Sequence, residues 1–599
     1  MTSSDQPGLL PEIVALRGRW FFALLCMIYI AIFFRLGYWQ VVEGAELSSA
    51  ADDQYSRSVT KTGKRGDILT ADGYTLVTNE VMYRLFAQPK QLKDEPLDIA
   101  TLLAPLLVSQ TASSAAERTD ELAQIKLDLT EKLSKDRSWI NLQYSVSAPV
   151  KSQIEDLNIH GIGFDPYDRR YYPEASMAAH ILGFVGKTEN GDEVGYFGLE
   201  GSLDKELKAR TITNTVLTDA LGSLVQSDGI FSTAILDGRR VTTTIRRDIQ
   251  HVAETQLKLG MEQYGAKAGE IIIMEPKTGK ILAMASFPNY EPDHFYDTDP
   301  QLYKNPSITD IYEPGSTFKV LTVSAGIDSG VINPSTECPK CATPRVFGQY
   351  TIRTWNDVYN PNIIMEQALA KSDNTAMMYI TDLLGADRFK TYVQKFGIGH
   401  TLGIELQEDT STPFPQKWGP VELATISFGQ GISTNSLQIT NAVAAIANGG
   451  SLMRPMLVSS VEDTVSNESI EIKPQTIRQV VSPQTASTVT NMMITAAQSG
   501  EAQWTSSKSH TIAGKTGTSQ VANAGGYDEN KTIASFIGFA PPENPKFIML
   551  VKLTEPTTSP WAAETAAPLW YKIASKLFLL LQIQPDRTTG TPATISTSL

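Results

Sequence analysis

Ser316 and Lys319 stand three residues apart in YEPGSTFK. On a helix that spacing puts both side chains on one face, about one turn from each other. Pro314 and Gly315 supply the turn that opens such a helix. A serine at that point sits among free backbone N–H groups able to stabilise a developing oxyanion. The lysine becomes a base once its pKa falls from about 10.4 toward 7, a change of about 4 kcal/mol. Burial against the apolar segment FKVLTVSAGI can supply a shift of that size. The pair therefore has the make-up of a lysine-assisted serine nucleophile.

Other readings fall away on spacing. The six histidines, at 160, 180, 251, 294, 400 and 510, form no H-E-x-x-H, and there is no G-x-S-x-G elbow. IAGKTGTSQ, Ile512 to Gln520, looks at Gly514-Lys515-Thr516 like the end of a phosphate-cradling loop. A Walker A loop needs glycine five positions before its G-K pair, and Ser509 stands there, after a polar stretch that offers no buried strand. A net charge of −14 with no clustered lysine and arginine argues against nucleic acid as a partner. Cys338 and Cys341 form a lone C-x-x-C with no second ligand pair for zinc, which leaves a local disulfide or two free thiols.

The 599 residues, 42% of them apolar, suffice for two to four domains. Trp20 to Phe34 is an unbroken apolar run, and with Leu36 to Trp39 it reaches about 20 residues, enough to span a bilayer. Arg17 and Arg19 precede it, whereas Glu43, Glu46, Asp52 and Asp53 follow, so the N-terminus is expected in the cytoplasm and the rest outside. No A-x-A cleavage site follows, which favours a retained anchor over a signal peptide. Beyond it, Val108 to Asp120 is polar and Ser/Ala-rich, and Glu121 to Lys135 has the pattern of a charged amphipathic helix. Farther on, Glu270 to Ser286 is a hairpin with Pro-Lys-Thr-Gly-Lys as its turn, and Thr532 to Ala540 pairs in pattern with Lys546 to Leu553 across PPENP. Helical segments, Ser316 to Ile327 and Met365 to Ser372 among them, lie between these hairpins. The expected fold class is α/β, an antiparallel-rich sheet with flanking helices.

S-x-x-K and K-T-G are common by chance: SVTK, Ser58 to Lys61, matches the first, and Lys61, Lys277 and Lys515 each begin the second. The order carries more weight. Ser316-x-x-Lys319 is followed by Ser372-Asp373-Asn374 and then by Lys515-Thr516-Gly517, the signature set of penicillin-binding proteins and class A β-lactamases. A second S-x-N, Ser433-Thr434-Asn435, follows the glycine-rich SFGQG rather than a helix and is set aside. YEPGSTFK, ALAKSDNTA, SFGQGIS, ANGG (Ala447 to Gly450) and GKTGT resemble the transpeptidase motifs of class B penicillin-binding proteins, most closely the division-type branch. RGDILTADG (Arg65 to Gly73), RRYYPE (Arg169 to Glu174), HILGFVG (His180 to Gly186) and GYFGLEG (Gly195 to Gly201) resemble the non-catalytic pedestal of that family.

The resemblance implies a cytoplasmic tail over residues 1–18, a transmembrane anchor over 19–40, an elongated mixed pedestal domain over 41–236, and a penicillin-binding/β-lactamase-like transpeptidase domain over 237–583. A disordered tail is expected over 584–599. It implies a peptidoglycan D,D-transpeptidase of the bacterial cell membrane that serves septal wall synthesis, is acylated by β-lactams, needs no cofactor or metal, and works beside a SEDS-type glycosyltransferase and other cell-wall synthesis proteins. Carried over residue by residue, Ser316 attacks the carbonyl between two D-alanines, Lys319 takes its proton, Ser372 passes a proton to the departing amine, and Asn374 orients Lys319. Lys515 attracts the substrate carboxylate, the hydroxyls of Thr516 and Thr518 bind it, and Gly517 lets the peptide approach the strand. The N–H groups of Ser316 and Thr518 form the oxyanion hole. A D,D-carboxypeptidase or β-lactamase would share the serine, but no E-x-x-L-N lies between Ser372 and Lys515; a non-catalytic penicillin sensor would carry further spans and H-E-x-x-H. Two departures from the family pattern, Ala209 after Leu207-Lys208 and Arg246 in TTTIRRDIQ, fall at the junction of the two domains rather than at the chemistry.

Overall fold

A computed structural model of the chain describes residues 10–108, 115–217, 237–523 and 526–587. The tail expected over 584–599 lies outside the described residues from 588 onward, as do the first nine residues and 109–114 of the Ser/Ala-rich stretch. The chain divides into two compact units. The smaller one begins with the helix Leu10–Gly37, continues through one wider turn at Tyr38–Val42 and a second helix, Gly44–Tyr55, and ends in a two-stranded ribbon. In that ribbon Ser56–Thr62 pairs antiparallel with Thr211–Leu217. The span Val14–Val42 is long and apolar enough to cross a membrane, with mean hydropathy 2.1 and none of its surface buried by protein. Such a helix is stable in lipid because every interior N–H and C=O is paired within it.

The larger unit holds residues 64–209 and 237 onward. Its centre is a five-stranded antiparallel sheet built from β1 (Ala268–Met274), β2 (Ile281–Phe287), β3 (Ala513–Asn523), β4 (Gly526–Ala540) and β5 (Phe547–Thr554), in the spatial order β2-β1-β5-β4-β3. The strands read as continuous apolar runs because both faces are covered, and period-2 alternation sends neighbouring side chains to opposite cores. Ile271, Ile273, Met549 and Val551 pack on α1 (Arg247–Tyr264) and α7 (Ala566–Leu580). Ile272, Met274, Ile548 and Leu550 face the other way, into a core shared with α2 (Lys319–Asp328), α3 (Met365–Ala370), α4 (Asn374–Leu384), α5 (Ser436–Ala447) and α6 (Pro483–Ser499). The two polar residues that interrupt the central strands, Glu270 and Lys552, stand opposite each other in register, form an ion pair, and place the ammonium over the Tyr312 ring. Pairing is what makes their burial tolerable. The hairpins at Glu270 to Ser286 and Thr532 to Leu553 form as expected, and Lys277 of the second K-T-G lies in the turn of the first. The α4 segment instead starts a new helix at Asn374, so the expected helix from Met365 stops at Ala370.

A second sheet takes strands from both sides of residue 237. Ile68–Leu69 runs parallel to Arg240–Thr243, which pairs antiparallel with Val458–Asp463. The 13-residue strand Thr75–Ala87 joins the same sheet and carries Ile162–Tyr171 and Ile140–Val146. The helix expected from Glu121 begins earlier, at Ala115, and runs to Leu133. Three of the family-like segments meet in one buried ionic network. Glu200, fully buried, accepts from Arg65 Nε at 2.6 Å and Arg170 Nε at 2.7 Å, while Arg65 Nη1 reaches Asp204 at 2.7 Å. The R-G-D tripeptide is thereby folded inward: Asp67 accepts from Thr78. At the junction, the Leu207 carbonyl accepts from Gly66 N at 2.8 Å, and Arg246 pairs with Asp248 in the first turn of α1.

Replacing Glu200 by glutamine leaves the buried Arg170 guanidinium without a counter-charge and Arg65 with Asp204 alone. The Glu200→Gln protein is expected to lose about 3–5 kcal/mol of stability, read as a lower midpoint in urea unfolding of the pedestal region.

Candidate active site

Ser316 lies in a single tight turn, Gly315–Phe318, that leads directly into α2 at Lys319. The turn is pinned from two sides: Gly315 N donates to the Gly429 carbonyl at 3.1 Å, and Thr322 of α2 donates to the Ser427 carbonyl at 2.7 Å. Both acceptors belong to SFGQG, which gives that loop a structural task at the turn that carries Ser316. Seven of the first eight residues of α2 after Lys319 are buried, and Lys319 itself has no exposed surface.

Ser372 ends the turn after α3 with φ of +55°, a conformation uncommon outside glycine. Asp373, next in sequence, caps α4 by accepting from Thr375 N at 2.7 Å and Ala376 N at 3.1 Å. The cap fixes the start of α4 and holds the strained residue before it. The three letters S-D-N thus have three separate tasks: a hydroxyl on a kink, a helix cap, and an amide on the first helical residue. Asn374 Oδ1 accepts from Lys319 Nζ at 2.7 Å, and its Nδ2 donates to the Arg353 carbonyl at 2.9 Å.

Lys515 comes from β3, an edge strand of the central sheet. Its amine and that of Lys319 both donate to Ser372 Oγ, at 3.0 Å and 3.2 Å, and Ser372 Oγ donates to Ser316 Oγ at 2.9 Å. Lys319 also donates to the Ser372 carbonyl at 2.6 Å. The four side chains expected at the site therefore converge, with one difference from the helical-spacing argument. Lys319 is hydrogen-bonded to Ser372 and Asn374, and it connects to Ser316 through the Ser372 hydroxyl. Burial, then the neighbouring Lys515 charge, lowers the Lys319 amine to about 7. Burial also lowers Lys515, while the Glu501 carboxylate opposes the shift on both.

A cleft of about 370 Å³ opens over this group, lined by Ser316, Ser372, Asn374, Glu501, Thr518 and Trp561. Trp561 meets Trp355 edge to face at 5.3 Å on its wall. Thr518 Oγ1 accepts from Ala562 N at 3.2 Å, so its own proton remains available. Thr516 Oγ1 donates to Glu501 at 2.8 Å and accepts from Lys515 at 3.1 Å. Glu501 is the contributor that sequence reasoning missed; a single carboxylate in GEAQW, in no periodic pattern and matching no motif, gave it no signal.

Gly517 has a second reason to be glycine besides access for a peptide. A Cβ there would lie 2.6 Å from Ser535 Oγ and 2.7 Å from the Thr317 methyl carbon, so its bare face receives the turn that carries Ser316. The decoys are placed elsewhere. Ser58 to Lys61 lies in the ribbon of the smaller unit. Thr434 of the rejected S-x-N pairs its backbone with Tyr312, and Asn435 caps α5. Cys338 and Cys341 form a local disulfide.

Residues 269–575 match the penicillin-binding protein transpeptidase domain, and residues 60–243 match the penicillin-binding protein dimerisation domain. The chain belongs to the penicillin-binding protein family. Stage V sporulation protein D of Bacillus subtilis is 30% identical over 96% of this chain and 87% of its own length. The peptidoglycan D,D-transpeptidase FtsI of Escherichia coli is 28% identical over 95% of this chain and 94% of its own. The crystal structure of penicillin-binding protein 2X from Streptococcus thermophilus superposes with TM-score 0.70 at 24% identity, covering 88% of this chain and 80% of that one, which shows a shared fold.

Substituting Gly517 by alanine is expected to lower stability by about 1–3 kcal/mol through overpacking against Thr317 and Ser535. If glycine served peptide access alone, thermal unfolding of Gly517→Ala would match that of the parent.

Proposed function

We propose that this protein is a membrane-anchored peptidoglycan D,D-transpeptidase of septal wall synthesis that works through an acyl-enzyme on Ser316 and is acylated there by β-lactams. The observation that carries this reading is the chain of contacts from two buried amines through one hydroxyl to Ser316. In the acylation step, Ser316 Oγ forms a bond to the carbonyl carbon between the two terminal D-alanines. Its proton passes to Ser372 Oγ as the Ser372 proton passes to the neutral Lys319 amine. The tetrahedral oxyanion is held by the N–H groups of Ser316 and Thr518. When the C–N bond breaks, the Ser372 hydroxyl gives its proton to the leaving amine of D-alanine and is resupplied from Lys319. A neutral amine of a second stem peptide then attacks the acyl carbon and loses a proton to the same pair, which returns one to Ser316 Oγ as the ester C–O bond breaks and the cross-link forms.

Lys515, charged, draws the substrate's terminal carboxylate to the edge strand, where Thr518 and Thr516 receive it. An unpaired edge also suits backbone pairing with an extended peptide. The assignments of 1–18 as cytoplasmic tail, 19–40 as anchor, 41–236 as pedestal and 237–583 as catalytic domain belong to this reading. So does an outward-facing catalytic domain, supported by Arg17 and Arg19 before the apolar run that starts at Trp20 and Glu43 and Glu46 after it. Polymerisation of the glycan would fall to a SEDS-type glycosyltransferase, and deletion of 17–39 with substitution of an unrelated membrane helix would abolish that association while leaving acylation intact.

Incubation with a fluorescent penicillin followed by peptide mass spectrometry is expected to place one adduct on Ser316, lost in Ser316→Ala; an adduct on any other residue would refute the mechanism. The neutral form of Lys319 is the reactive one. The acylation rate is therefore expected to climb as pH rises through about 7 and to level off above it, falling again where Lys515 loses its proton. Stopped-flow acylation across that range measures both limbs.

A further inference from the structure

Glu501 follows α6 through Gly500, where any Cβ would come within 2.3 Å of the Ala496 carbonyl oxygen and 2.8 Å of the Ala370 one. Glycine there lets the ends of α6 and α3 close together and brings the carboxylate to the wall of the cleft. Its Oε2 accepts the Thr516 hydroxyl proton, and Thr516 Oγ1 in turn accepts from Lys515 Nζ. A hydroxyl has one proton to give. In the acyl-transfer reaction proposed for this site, that proton and the Lys515 charge go to the terminal carboxylate of the substrate. The Glu501 carboxylate already takes that hydrogen bond and lies in the field of that charge.

We propose that Glu501 is a specificity-determining residue: it occupies Thr516 and offsets Lys515 in the empty cleft, and the terminal carboxylate of an incoming peptide must displace it. Two carboxylates cannot share one hydroxyl and one ammonium without repulsion. An anion that reaches the strand without the further backbone contacts of a peptide therefore gains little. Displacement has somewhere to go. A neighbouring cavity of about 320 Å³ shares Glu501 and Trp355 with the cleft and is lined by Lys371, a cation toward which the released carboxylate can turn. The charged groups around Glu501 are then Lys515 on β3, Lys319 on α2, Lys371 and Asp373 before α4, and Arg353 across the cleft. The Glu501 charge favours the protonated form of both Lys319 and Lys515.

The proposal rests on the acyl-enzyme reading, and the test separates the two. Acylation of Ser316 in the full-length protein is timed by intact mass with benzylpenicillin and with the methyl ester of its carboxylate, for the parent, Glu501→Gln and Glu501→Asp. Adduct formation on Ser316 of the parent tests the acyl-enzyme. The ratio of free-acid to ester rates tests Glu501: it is expected to rise about 3- to 10-fold in Glu501→Gln, as removal of one partly screened charge predicts, and to return toward the parent value in Glu501→Asp. The acid limb of the Glu501→Gln rate profile is expected at lower pH than the parent's, because the charge that held Lys319 protonated is gone. A merely structural Glu501 would slow both ligands alike; a ratio that stays level or falls in Glu501→Gln overturns the proposal.

Discussion

Everything at this site depends on keeping two lysine amines dry and within reach of the same hydroxyl. Lys319 and Lys515 approach Ser372 Oγ to 3.2 Å and 3.0 Å, so the two nitrogens are at most about 6 Å apart. Two full charges at that separation repel by about 3 kcal/mol at an effective dielectric near 20. Burial adds to that cost, and the cheapest escape is for one amine to give up its proton. Which one is settled by surroundings. Glu501 reaches Lys515 through Thr516, whereas Lys319, fully buried in α2, takes the repulsion of the Lys515 charge on top of its desolvation. Two identical side chains are thereby set apart, with the Lys319 amine lowered to about 7.

The layered fold exists to hold that conflict in place. Lys319 cannot swing to water because α2 is wrapped on all sides by the core that also receives Ile272 and Leu550 of the sheet. Lys515 cannot retreat because it is set on a strand whose partner, β4, is locked into the buried centre of the same sheet. Ser372 is held in its uncommon backbone conformation by the cap that follows it and the helix that precedes it. The three elements come from distant parts of the chain, and the bare face of Gly517 against Thr317 is where two of them touch.

Much of this was legible beforehand for a physical reason. A buried strand between covered faces must be an apolar run, so β1, β2, β4 and β5 could be seen in IIIM, ILAMAS, SFIGFA and FIMLV. The pairing of Ser316 and Lys319 with a helix start was legible because all three lie in one local segment. What escaped was of two kinds. The helix expected from Met365 to Ser372 ends at Ala370; what escaped was that a new helix restarts at once at Asn374, capped by Asp373 after the positive φ of Ser372. The role of Glu501 and the inward reason for Gly517 escaped because each is defined by a partner far away in sequence, Thr516 in one case and Thr317 in the other. The second sheet escaped likewise: Arg240–Thr243 is too short to announce itself and takes its place only between strands from residues 68–69 and 458–463.

The proton bookkeeping at the cleft also bears on which nucleophile finishes the reaction. If Ser316 carries the acyl group, the group that leaves is an amine and the group that arrives in transpeptidation is again an amine. One relay, Ser372 with Lys319 near pKa 7, hands a proton to the first and takes one from the second, so the same contacts serve both half-reactions by microscopic reversibility. Water is a different case. It is a weaker nucleophile that needs a base aimed at it from the open side of the acyl group, as a hydrolase supplies with a separate carboxylate. The carboxylate that lines this cleft, Glu501, is bound to the strand hydroxyl of Thr516 and sits in the field of Lys515, so it is already engaged on the strand. Under the proposed mechanism, an acid-base pair matched to amines at both ends, beside a carboxylate already engaged on the strand, suits the exchange of one amide for another.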